Sequence, residues 1–260
     1  MQPQIRPKPL RRIVNDPPAQ SISDNQPQTP CVQAIRAYAT VMTILHPLPR
    51  ESTWLIPEIA DPFVMFPLQS VARELSGLLA DSDRDLIAAP PARKYWDVTH
   101  EHAHEKCGLL LGAAFVLAQA ALTQTASITY RLKYLLPDLP LPEGRDAMLA
   151  LDAPADPETS MSVLVVVDTA ANYFKHYHQW PPDWSFAEAR PPQRRTIQNA
   201  LKIGMEPRPT TVTDNLIRAL RRSGASGLDV ERLTHIIQSW REQLVVRLSR
   251  LLDIPNPNDL

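Results

Sequence analysis

Cysteine, glycine and net charge are what this chain has least of. Only two cysteines, Cys31 and Cys107, occur in 260 residues, and they form no Cys-x-x-Cys pair, which excludes a disulfide framework and predicts a reducing, cytoplasmic setting. Seven glycines sit beside 27 prolines. The prolines gather in short runs between long apolar-periodic stretches, the pattern of helices joined by rigid connectors. Lysine and arginine number 27 against 28 aspartates and glutamates, so no global field draws the chain to nucleic acid or to an anionic membrane, and any such binding must be local. The N-terminal residues lack the apolar core of a signal peptide. The most apolar run, residues 108–122, falls short of the roughly 20 residues a membrane span needs, and no membrane association is expected. What is present is apolar bulk: 44% hydrophobic residues suffice for a substantial core.

The fold class this composition predicts is all-α, a multi-helix bundle behind a Pro-rich N-terminal tail. Residues 1–30 hold seven prolines and four basic residues, Arg6, Lys8, Arg11 and Arg12, with few large apolar side chains, and are expected to be disordered. A targeting leader or a docking segment is the functional alternative for them. The bundle is expected over 31–252 as one domain, followed by a flexible end at 253–260.

Helical spacing starts at Cys31 and runs through Ile35, Tyr38, Met42 and Leu45. Further helices are expected at 69–80, 92–136 (kinked near Gly108 or Gly112), 163–180, 193–203, 212–222 and 229–252, with 47–67 as a Pro-broken connector. Asp156-Pro157-Glu158 has the form of a helix start, with Asp as N-cap and Pro in the first turn. The pentad Val163 to Val167 is β-branched enough for a strand, but the cap signal before it and Ala170-Ala171 after it favour helix.

Two stretches carry residues capable of chemistry. In Thr99-His100-Glu101-His102-Ala103-His104, His100 and His104 fall one helical turn apart, where both would hold zinc while Glu101 activates its water. Against this, His102 occupies a position that is usually uncharged and apolar in such motifs, and no third ligand follows at a familiar spacing. The favoured expectation is a solvated, salt-bridged start to a long helix with no metal and no cofactor; a zinc hydrolase using His100, Glu101 and His104 is the alternative.

The second stretch is Ala171-Asn172-Tyr173-Phe174-Lys175-His176. On a helix, Asp168, Asn172 and His176 are successive turns of one face, an acid, an amide and an imidazole in a row, and they are the candidate catalytic residues. A purely structural alternative is a hydrogen-bonded helix end with Trp180 and Trp184 closing the core. The stretch resembles the Arg-Asn-x-x-x-His signature of the HEPN superfamily, helical proteins many of which are metal-independent ribonucleases. Ala171 stands where that signature has its Arg. With Arg194-Arg195-Thr196-Ile197, Thr213-Asp214-Asn215-Leu216 and Trp240-Arg241-Glu242, the core Asn-Tyr-Phe-Lys-His-x-x-x-Trp-Pro also resembles a set of uncharacterised bacterial helical proteins over residues 160–245.

The resemblance implies a helical protein in which two such helices meet across a homodimer, with Arg and His acting on the 2′-hydroxyl and the scissile phosphate. With Ala171 in place of Arg, it implies a non-catalytic or weakly catalytic module binding RNA or a protein partner, in a defence or toxin system. Lys175 lies about 100° around the helix from His176 and is a poor substitute for the missing cation. A second basic face is offered by Arg218, Arg221 and Arg222 near the C-terminus. With Lys175, these form the candidate nucleic-acid-binding or partner-binding set.

Overall fold

A computed structural model describes residues 50–61, 64–88, 93–185, 188–207 and 212–257. The tail at 1–30 and the helix expected from Cys31 lie outside the described residues. What is described is all-α: α1 (Arg50–Ala60), α2 (Phe66–Ala88), α3 (Arg93–Leu135), α4 (Arg145–Ala150), α5 (Val163–His176), a 3₁₀ turn (Tyr177–Gln179), α6 (Pro191–Lys202), α7 (Val212–Arg222) and α8 (Glu231–Leu251).

The axis of the bundle is α3, 43 residues long, which packs on α1, α2, α4, α5, α7 and α8. From Cys107 to Tyr130 it carries no charge. Its stretch Glu101–Leu135 is long and apolar enough, by length and composition, to cross a bilayer, contrary to the shorter run expected; 56% of its most apolar window is buried inside the bundle. The helix runs unbroken through Gly108 and Gly112. These glycines are notches: a Cβ at Gly112 would overlap the ring of Phe174, and one at Gly108 would overlap the Thr213 hydroxyl. Close approach of α5 and α7, rather than a kink, accounts for glycine there.

Helix α5 is buried on every face from Val163 to Ala171. That enclosure explains how a β-branched pentad forms a helix: tertiary burial outweighs a local preference of under about 1 kcal/mol per residue. Its N-cap is Ser162, whose Oγ accepts from Leu164 N–H at 3.2 Å and donates to Leu149 O at 2.7 Å. Asp156, the expected cap, closes an earlier turn, its carboxylate accepting from the Thr159 backbone N–H and hydroxyl. Such Asx turns use the same side-chain chemistry as a cap, which is why the sequence signal misplaces the start. The helix ends at His176 and continues to Gln179 only as 3₁₀.

Two helices were unexpected. α1 forms inside the Pro-broken segment and keeps Pro57 within it; α4 is a single short turn-and-a-half after Gly144. Arg241 anchors the end of α1. Its Nη2 donates to Ile59 O at 2.6 Å and Asp61 O at 2.9 Å, and burial lowers its pKa to about 10 against the opposing pull of Asp61 and Glu242. Its neighbour Trp240 is fully buried and donates from Nε1 to Leu151 O at 2.9 Å. α8 closes with a Schellman turn, Ile254 N–H reaching Ser249 O at 3.0 Å with Asp253 at φ 52°. Ile254 thereby joins the core, within the segment expected to be a flexible end.

Candidate functional site

The three residues proposed as an acid, amide and imidazole row do not share one environment. Asp168 is a buried hub. Its Oδ1 accepts from Gln119 Nε2 at 2.8 Å and from Arg145 through Nε at 3.1 Å and Nη2 at 2.7 Å, and its Oδ2 accepts from Asn172 Nδ2 at 3.2 Å. Arg145 Nη2 also donates to Thr123 Oγ1 at 2.9 Å, and Lys175 Nζ donates to Gln119 Oε1 at 2.5 Å. A carboxylate that accepts four hydrogen bonds while 6% exposed is a structural anion. Asp168 therefore positions Asn172 through the amide nitrogen and has no surface from which to meet a substrate.

Asn172 is half-buried and His176 exposed. Together with Trp180 they line a cleft of about 380 Å³ whose other wall comes from Gln179, Arg190, Gln193, Arg195 and Thr196. Arg190 is the residue before α6, which starts with Pro191 and Pro192. Its backbone N–H donates to Gln193 Oε1 at 2.9 Å, pinning the entry to the helix. The cleft thus lies at the positive end of the α6 dipole. Arg195 approaches Asp146 at 3.5 Å with half its side chain exposed. No hydrogen bond or ion pair of the Arg190 guanidinium or the His176 ring occurs among the described residues, and no carboxylate lines the cleft.

Ala171, which stands where the resembling signature has its Arg, is fully buried and is not among the residues lining this cleft. Lys175 does not line the cleft, being held on Gln119. The basic set near the C-terminus is largely neutralised. Arg218 pairs with Glu206 at 2.6 Å and donates to Gly204 O at 2.5 Å; Arg222 pairs with Glu158 and reaches Asp156 at 3.9 Å, and the Glu158 hydrogen bond raises its pKa. Arg221 is exposed and lines a separate cavity with Cys107 and His104.

Glu101 and His104 line different concavities, and the carbonyl of His104 accepts from Thr213 Oγ1 at 2.7 Å. No group of three or more metal-ligating side chains gathers among the described residues, and the side chain of His100 lies outside them. Asn215, in one of the segments that carry the resemblance, is fully buried and clamps Glu206 through both its N–H and its carbonyl, at 2.9 Å each. Its role is to fix the connection between α6 and α7.

Sequence reasoning missed Gln119, Arg145, Arg190 and Gln193 as parts of this region. Gln119 and Asp168 lie 49 residues apart, and nothing local couples them. The Arg190-Pro191-Pro192 start of α6 was the one available signal, since prolines in a first helical turn announce a helix N-terminus with its field. Comparison of the chain with known protein families, with curated proteins and with solved structures found no match.

Proposed function

We propose that this protein is a HEPN-like RNA-binding module that takes the phosphate backbone of single-stranded RNA into the cleft between the end of α5 and the start of α6. One observation carries this: Arg190, Arg195 and His176 line a single cleft in which no carboxylate occurs among the described lining residues. Guanidinium groups bind phosphate oxygens through paired N–H donors, and the amides and hydroxyl of Asn172, Gln179, Gln193 and Thr196 add neutral ones. The cation that the resembling signature takes from α5 is supplied here by α6, across the cleft from His176. An imidazole beside a cation is also the minimum for metal-independent attack by a 2′-hydroxyl, so the same assay reads both binding and scission.

The test is fluorescence anisotropy with a labelled single-stranded RNA over a salt series. Binding should weaken linearly in log salt, and each of Arg190→Ala and Arg195→Ala should flatten the slope by about 0.7. Salt-independent binding, or binding unaffected by both substitutions together, would reject the proposal. Affinity for a protein partner alone, with none for RNA, would reassign the cleft.

A further inference from the structure

A cavity of about 590 Å³, separate from the phosphate cleft, lies between α2, α3 and α7 and is bordered by the turn into α8. That volume falls in the range of small-molecule sites, roughly 300–1,000 Å³. Its apolar lining is mainly aliphatic: Leu79 is 1% exposed, and Ile217 and Leu228 are half-buried. Two polar groups in it are left without partners. Ser76 of α2 lines the cavity, and its Oγ is shut off from solvent with no hydrogen-bond partner among the described residues. Buried hydroxyls ordinarily have one, in mid-helix often the carbonyl a turn back. Thr213, which also lines the cavity, is satisfied, its Oγ1 donating to the His104 carbonyl at 2.7 Å. Arg221, in the last turn of α7, makes no hydrogen bond or ion pair among the described residues, in contrast to Arg218 and Arg222 on the same helix.

Two carboxylates border the same cavity, those of Asp229 and Glu231. Asp229 is held in place: its Oδ1 accepts from the backbone N–H groups of Glu231 at 3.1 Å and Arg232 at 3.3 Å, pinning the start of α8. Neither acid pairs with Arg221. Opposite charges therefore border one cavity without neutralising each other, and a ligand that answers both must carry both signs. A fatty acid would meet the repulsion of Asp229 and Glu231, and a simple amine that of Arg221. We propose that this cavity binds a free α-amino acid with an aliphatic side chain. The Arg221 guanidinium takes its carboxylate through paired N–H donors and the acidic edge takes its ammonium. Its side chain rests among Leu79, Ile217 and Leu228, and the Ser76 hydroxyl finds its acceptor on the ligand.

Isothermal titration calorimetry of the full chain with L-leucine tests the site, with two one-charge analogues: isocaproate, which lacks the amine, and isoamylamine, which lacks the carboxylate. Leucine should bind once per chain, and each analogue at least about tenfold more weakly, since each leaves one charged edge unanswered. Arg221→Ala should weaken leucine by about tenfold or more without weakening isoamylamine. Arg221 is exposed and unpaired among the described residues, so this variant should fold as the parent chain does. Ser76→Ala supplies a second readout. It should raise the unfolding midpoint of the unliganded chain, by deleting a buried hydroxyl without a partner, and weaken leucine severalfold. A hydroxyl serving only the packing of α2 would do neither. Absence of binding by leucine, isoleucine and valine at millimolar concentration, isocaproate binding as tightly as leucine, or a leucine affinity indifferent to Arg221→Ala would each overturn the proposal.

Discussion

Two pairs of arginines show opposite uses of the same side chain. Arg218 and Arg222 sit in α7 as part of an obvious basic run, and both are tied to acids, Glu206 for one and Glu158 with Asp156 for the other. Arg190 and Arg195 flank the start of α6; Arg195 keeps one long contact to Asp146, and Arg190 makes no ion pair among the described residues. A run of cations in sequence reports composition, whereas binding capacity depends on which carboxylates the fold brings within about 4 Å.

The largest effect is expected from moving the cation onto α5. Ala171→Arg, which would complete the Arg-Asn-x-x-x-His pattern, forces a guanidinium into a fully buried position and should destabilise by more than about 4 kcal/mol or prevent folding. Denaturant titration checks this. A stable variant that gains RNA cleavage would show that the helix can rotate to present residue 171 to the cleft.

Asp168→Asn should be next in size. It removes the counter-ion of Arg145 from a nearly dry site and should lower stability by about 3 kcal/mol in the same titration. Loss of RNA binding without loss of stability would instead make Asp168 a ligand-contacting residue.

Gly112→Ala tests the notch. The helix-propensity gain of about 1 kcal/mol should be outweighed by overlap with Phe174, leaving a net loss of about 1–2 kcal/mol. An unchanged or raised melting temperature would mean the Phe174 ring moves aside freely.

The smallest effects belong to the α7 arginines. Arg218→Ala and Arg222→Ala should each change stability by less than about 1 kcal/mol, and leave RNA affinity within about twofold, because partly exposed ion pairs contribute little and these cations are already paired. An affinity loss equal to that of Arg190→Ala would move the interface to α7.

The extents of the helices could be read from the sequence to different degrees for physical reasons. α7 was expected at its observed bounds, and α8 to within two residues, because each has one apolar stripe at helical spacing and ends beside a glycine or proline signal. α1 was hidden by Pro57, a residue counted as a breaker that this helix accommodates. The cap of α5 was misassigned because Asp156 and Ser162 offer the same acceptor chemistry, and only the packing of Ser162 on Leu149 selects between them.

That the chain is helical, with apolar helices divided by prolines, and that Asn172 and His176 share a helix face were legible from the residue order alone. Those properties rest on periodicity and local backbone chemistry, which reach no further than a few residues. It takes the packed bundle to make Asp168 a saturated hub, to seal Ala171 in the core, and to bring Arg190 and Arg195 to a cleft shared with His176. Each depends on side chains brought together from distant positions, and on which polar groups the packing has already satisfied.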